Sequence, residues 1–107
     1  IPNHPFDPRC KITVENLSVR PPMCPDEKTY ALIALLEEAG RETDQPVEML
    51  VTGGGSDGNF IAVYDCPTVD GCGPCGSLLH TEDEYLLIES IEKRLDIMRA
   101  TLLKLFK

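Results

Sequence analysis

The sequence predicts an α/β domain, a mixed or parallel sheet covered by helices. Two observations carry that class. Strand-like and helix-like segments alternate from residue 47 onward. Residues 47–52, Val-Glu-Met-Leu-Val-Thr, form a short apolar run rich in strand formers that enters a glycine cluster at 53–55, the pattern of a buried parallel strand.

Proline at positions 2, 5 and 8 predicts an extended lead over the first nine residues rather than a helix. Ile12 and Val14 then alternate with Lys11, Thr13 and Glu15, which reads as a short strand. Arg20-Pro21-Pro22-Met23-Cys24-Pro25 removes backbone donors and ends regular structure, so it marks a linker between two units.

Asp26 is placed as a helix N-cap, with Glu27 in the first turn where the helix dipole favours an anion. Tyr30, Ile33 and Ala34, with Leu32, Leu35, Leu36 and Ala39 beside them, make a broad apolar stripe at helical spacing, and Gly40 is placed to end it. Asn59 to Tyr64 predicts a short helix packed by Phe60, Ile61 and Val63, stopped at Pro67. Thr68-Val69-Asp70 has room only for a short strand. From Ser90 as N-cap, the last helix carries Ile91, Leu95, Met98, Leu102 and Leu105 at spacings of three and four.

A chain of 107 residues fits one domain with a core of its own. Its 42% apolar and 26% charged residues are ordinary for a globular protein. It contains no run of about 18 apolar residues that would span a bilayer. The proline-broken start does not resemble a secretion signal, and the absence of an initial Met suggests an internal cut or a processed precursor. Ten Lys and Arg against eighteen Asp and Glu give a net charge of −8, which repels phosphate backbones and anionic lipid and so argues against nucleic-acid or membrane-surface partners. Five cysteines, at 10, 24, 66, 72 and 75, cannot all pair within one chain. Free thiols in a reducing, cytoplasmic compartment are the expectation.

Three motifs carry chemistry, each with a competing structural reading. Cys72-Gly73-Pro74-Cys75 matches the thioredoxin-like redox tetrapeptide, which needs a helix starting at the first cysteine to lower its thiol pKa. The residues after it, Gly76 and Ser77, are poor helix material. Gly53-Gly54-Gly55-Ser56-Asp57-Gly58 contains the Gly-x-Gly-x-x-Gly spacing of a pyrophosphate loop, or else a tight turn that needs glycine dihedrals. His80 stands before Thr81 and Glu84, a capping-box pair, so it is either an exposed neighbour of a helical turn or a metal ligand. A structural zinc site from Cys66, Cys72, Cys75 and His80 has suitable spacing only between Cys72 and Cys75.

Taken together in order and spacing, Gly53 to Phe60, Pro67-Thr68-Val69-Asp70-Gly71-x-Gly73-Pro74 and His80-Thr81-x-Asp83-Glu84-Tyr85 resemble the C-terminal part of the zinc aminoacylase and carboxypeptidase family. The glutamate carboxypeptidase type is the nearest likeness, with acetylornithine and succinyl-diaminopimelate deacylases as relatives. The resemblance covers about residues 12 to 106 and implies a partial catalytic domain of a zinc exopeptidase. Residues 1–25 would close a lid, or dimerisation, domain and its linker, and residues 26–107 would form the C-terminal half of the catalytic domain.

In that family two zinc ions hold a hydroxide that attacks an amide carbonyl, and a glutamate collects its proton. The resemblance makes His80 a zinc ligand. It makes Gly54, Gly55 and Ser56 backbone contacts to the carboxylate end of a peptide-like or N-acyl amino acid substrate, with Asp57 bracing their loop. The family's His-x-Asp motif, bridging aspartate, Glu-Glu pair and further carboxylate ligand have no counterpart here. The chain alone is therefore expected to bind no zinc tightly, to hydrolyse nothing and to self-associate, whereas the parent would be a homodimer. The competing assignments are a small thiol-disulfide oxidoreductase using Cys72 and Cys75, and a non-enzymatic interaction domain.

Overall fold

The computed structural model describes residues 6–107, which contain three helices and one two-stranded hairpin. Helix α1 spans Glu27–Glu42, α2 spans Gly58–Ala62 and α3 spans Glu89–Leu105, with strands β1 (Gly76–Ser77) and β2 (Tyr85–Leu86) between the last two.

Asp26 caps α1 as its side chain predicts, accepting from the Thr29 N–H at 2.8 Å and the Thr29 hydroxyl at 2.7 Å. The helix buries Thr29, Ile33, Leu36, Ala39 and Gly40, one face at spacings of three and four. It does not end at Gly40 but runs on to Glu42. Gly40 has another use: a Cβ there would stand 2.7 Å from the Gln45 carbonyl oxygen and 3.1 Å from Val47 Cγ2. The chain leaving the helix folds back against that bare face, and the Gln45 N–H donates to the Gly40 carbonyl at 2.7 Å.

Helix α3 packs on α1 through a face to which the apolar stripe contributes only Met98. Its buried residues are Ser90, Ile97 and Thr101. Leu36, Ala39 and Ile97 form the core cluster, ringed by Val47, Val69, Cys72, Met98 and Ala100. Leu95, Leu102 and Leu105 of the expected stripe are 62%, 48% and 46% exposed. Thr101 is accommodated in the contact because its hydroxyl donates to the Ile97 carbonyl at 2.8 Å. At the far end, the Lys104 ammonium bridges Glu38 and Glu42 of α1 at 2.9 and 2.7 Å. Ser90 is not the N-cap, since the helix begins one residue earlier. Its hydroxyl accepts from the Cys75 N–H at 2.8 Å and donates to the Leu87 carbonyl, tying the helix start to the hairpin.

Among the described residues the only paired strands are antiparallel, Gly76 opposite Leu86 and Ser77 opposite Tyr85. Residues 47–52, 12–19 and 68–70 are not strands, and the first two segments lie mostly exposed. A strand exists only when at least one neighbour supplies its hydrogen bonds, and among the described residues no such neighbour pairs with these segments. Helix α2 forms, but Phe60, Ile61 and Val63 point outward and Asn59 is the buried residue. The lead expected over the first nine residues falls largely outside the described residues. From Phe6 the chain bends rather than extends, with Asp7 accepting from the Arg9 guanidinium and backbone and from the Cys10 N–H through its carbonyl.

The radius of gyration is 19.2 Å, well above the roughly 13 Å of a compact domain of this length. The core of four buried apolar residues, Ile33, Leu36, Ala39 and Ile97, is correspondingly small.

Candidate metal and substrate site

His80 occupies the connection of the β1–β2 hairpin. Gly76 sets up that hairpin, because a Cβ there would collide with the Tyr85 carbonyl and only glycine lets the strands approach so closely. No helical turn starts at Thr81. The Thr81 N–H and hydroxyl instead both donate to the Leu78 carbonyl, at 3.2 and 2.7 Å, and the Glu84 N–H donates to the Thr81 carbonyl at 3.3 Å. Glu84 reaches back one residue further than a capping glutamate would, its carboxylate accepting from the His80 N–H at 3.3 Å. The box residues thus close a hairpin loop. Leu78 and His80 sit in the left-handed region, with φ of 59° and 67°, a conformation that costs a non-glycine residue about 1–2 kcal/mol. The His80 side chain is exposed.

The glycine loop forms a second cluster. Asn59, 8% exposed, organises it: its Oδ1 accepts from the Ser56 N–H at 2.7 Å, and its amide nitrogen donates to the Pro21 carbonyl at 2.9 Å. The Ser56 hydroxyl accepts from the Gly58 N–H at 3.1 Å. That hydroxyl and the Gly71 N–H together hold the Asp70 carboxyl below the usual carboxylate range. Ser56 is therefore committed to bracing the loop in both its N–H and its side chain. Gly54 and Gly55 are exposed, and among the described residues their N–H groups have no partner.

Arg20 lies against this loop. Its Cδ stands 2.7 Å from where a Gly55 Cβ would be, its guanidinium covers the Phe60 ring at 4.9 Å, and it is 3.8 Å from the Asp57 carboxylate. Asp57 itself is 97% exposed, so the bracing expected of it falls to Asn59 and Ser56. Sequence reasoning passed over Arg20 and Asn59. The only signal for Arg20 was a lone cation ahead of two prolines. For Asn59 it was an amide, a donor and acceptor in one side chain, just after a glycine loop.

Cys72 does not start a helix; the chain bends at Gly73 and runs through Cys75 into β1, while the next helix begins only at Glu89. Burial pushes the Cys72 thiol up, against the opposing pull of Arg94, the reverse of what a thioredoxin-like nucleophile needs. All five cysteines are free thiols. Among the described residues no three His, Cys, Asp or Glu side chains converge to hold a metal ion. His80 has the Glu84 carboxylate at its backbone N–H and, among the described residues, no group of three ligands around it, whereas a zinc ion takes four. Nor, among the described residues, is any helix long and apolar enough to cross a membrane.

The family model described as peptidase family M20/M25/M40 matches residues 6–104. The chain belongs to that family of metallopeptidases. It is similar to succinyl-diaminopimelate desuccinylase of Methylibium petroleiphilum, 43% identical over 82 residues, covering 76% of this chain and 20% of the relative. The enzymes of the same name from Bordetella petrii and Paracidovorax citrulli are each 40% identical, over 69% of this chain and 18% and 19% of their own lengths. The chain thus spans about a fifth of the length of the curated relatives it matches. No solved structure matches it.

Proposed function

We propose that this chain is the C-terminal part of a dinuclear zinc amidohydrolase of the carboxypeptidase and deacylase type. The parent hydrolyses an amide bond next to a carboxylate-bearing residue, in a peptide-like or N-acyl amino acid substrate. The single observation that carries the reading is the family match over residues 6–104, which includes the His80 hairpin and the glycine loop in one span. The name of the relatives, desuccinylase, fits an acyl group that itself ends in a carboxylate.

In this reading residues 1–25 close the lid domain, residues 26–107 are the second half of the catalytic domain, and His80 gives an imidazole nitrogen to one zinc. Two uncommitted N–H groups, at Gly54 and Gly55, lie beside a guanidinium whose side chain is 44% exposed. That combination suits a substrate carboxylate, which accepts from both. Ser56 then acts by shaping the loop rather than by touching substrate. Five free thiols are compatible with a reducing compartment.

The test uses the full-length protein with zinc and N-succinyl or other N-acyl amino acids. His80→Ala lowers kcat/KM by more than about a hundredfold. Arg20→Ala raises KM by about tenfold to a hundredfold with a smaller change in kcat, as loss of one charge-assisted contact dictates. The isolated chain hydrolyses nothing, and submicromolar zinc binding to it by calorimetry would overturn that part of the reading. The exposed apolar face of α3 is the contact for the rest of the catalytic domain, and the isolated chain pairs through it. A concentration-independent monomer in sedimentation contradicts the pairing.

A further inference from the structure

The hydrolase reading leaves Cys72-Gly73-Pro74-Cys75 unused, yet the two thiols are not incidental neighbours. Cys75 is exposed, and the Arg94 guanidinium donates to its sulfur at 3.5 Å. Arg94 also lines one surface depression with Cys72, so one cation of α3 lies beside both cysteines. Cys72, half-buried, packs against the Leu36–Ala39–Ile97 core. Cys72, Gly73, Pro74, Arg94 and Leu95 line one open depression on the surface. Nothing lies within 4 Å of where a Gly73 Cβ would be, so the segment between the cysteines is open on that side.

We propose that Cys72 and Cys75 are a reversible modification site for hydroperoxides, in which Cys75 beside Arg94 is oxidised first and Cys72 then closes a disulfide across Gly73-Pro74. The Cys75 sulfur attacks one oxygen of the peroxide. The S–O bond forms as the O–O bond breaks, and the departing oxygen leaves with the electron pair, takes up the thiol proton and becomes water or an alcohol. The Arg94 guanidinium provides donors where that negative charge develops. The Cys72 sulfur then attacks the sulfenic sulfur, the S–S bond forms, the S–O bond breaks, and water departs with the Cys72 proton. Two thiols are oxidised by two electrons and one hydroperoxide is reduced.

The site differs from a catalytic oxidoreductase because neither thiol starts a helix, and turnover with other proteins is not part of it. Two residues between the cysteines close a very small ring, which constrains the unfolded chain little and leaves the bond open to reduction by a dithiol. Closure also acts at a distance. The Cys75 N–H donates to Ser90 and its carbonyl accepts from the Leu87 N–H at 2.9 Å. Drawing Cys75 toward Cys72 pulls on both bonds at the root of the hairpin that carries His80.

The experiment treats the full-length protein with hydrogen peroxide, blocks remaining thiols, and maps peptides by mass before and after a dithiol reductant. A Cys72–Cys75 disulfide that forms first and is reversed by the dithiol is the expected result. Cys72→Ser accumulates a sulfenic acid at Cys75 that a 1,3-dione traps, and Cys75→Ser forms neither product. Arg94→Met slows Cys75 oxidation by about fivefold to tenfold, the effect of one hydrogen bond to a charged donor at an open site. Oxidation of the exposed Cys66 ahead of Cys75, or an unchanged rate in Arg94→Met, overturns the proposal. Faster hydrogen exchange at the Leu87 amide in the oxidised protein is expected, and unchanged exchange there refutes the link to the hairpin.

Discussion

Truncating Ile97 and Leu95 separately discriminates between two faces of one helix. Ile97 is 3% exposed and contacts the Leu36 and Ala39 cluster, whereas Leu95, two residues earlier, is 62% exposed. Ile97→Ala removes three buried carbons, which at about 0.8 kcal/mol each is about 2.4 kcal/mol of lost transfer free energy. A cavity adds about 24 cal/mol per Å³ that is not refilled. Here Val47, Val69 and Met98 surround the site only half-buried and can settle inward, so the added term is small. The sum is about 2.5–3.5 kcal/mol, a large part of the stability of a chain this size.

Leu95→Ala changes stability by less than about 0.5 kcal/mol, as an exposed substitution does. Urea unfolding of the 107-residue chain, followed by helical circular dichroism at low concentration, measures both. A Leu95→Ala loss equal to or greater than that of Ile97→Ala refutes the assignment of α3's buried face. In the full-length protein, where the outer face is proposed to be covered, the Leu95→Ala cost rises.

Gly40→Ala places a methyl 2.7 Å from a backbone oxygen, so the return of the chain from α1 toward Val47 must shift; thermal unfolding falls, although alanine is the better helix former. His80→Gly and His80→Ala both remove the imidazole, but glycine accepts the positive φ at this position. The glycine variant is therefore the more stable by about 1 kcal/mol, and equal stabilities contradict the strained loop. The Lys104 bridge gives a pH signature. Lys104 holds the Glu38 carboxyl below its ordinary 4.5, so that group's contribution is present above 4.5 and lost as pH falls through the lowered value. Glu42 and Glu38 raise Lys104 above its ordinary 10.5, so its contribution is complete below 10.5 and lost as pH rises through the raised value. The difference in thermal midpoint between wild type and Lys104→Met is thus largest between those limits and shrinks at both ends; a difference that does not vary with pH disproves the bridge.

Local chemistry was legible without the fold. Asp26 announced the start of α1, the apolar residues between Asn59 and Tyr64 announced a short helix, and three spaced motifs announced the family with His80 in it. These signals act over three or four residues, within reach of one side chain or one turn. Partner-dependent features were not legible. Residues 47–52 carry a strand composition, but a strand needs a neighbour to bond to, and none flanks them here. The apolar stripe on α3 promised a core, yet the helix turns Ile97 and Thr101 inward and, of the stripe, leaves Leu95, Leu102 and Leu105 to solvent.

The sequence by itself determined the helices, their first cap and the family, because propensity, capping and motif spacing are properties of short segments. Only the tertiary structure decided that Gly40 serves a close backbone crossing, that the Ser56 N–H and hydroxyl are engaged within its own loop, and that Arg20 stands beside the open glycine N–H groups. It also decided that Arg94 reaches the Cys75 sulfur. Each of those depends on which distant segment comes within a few ångströms, and that is set by packing rather than by the residue's own neighbours in the chain.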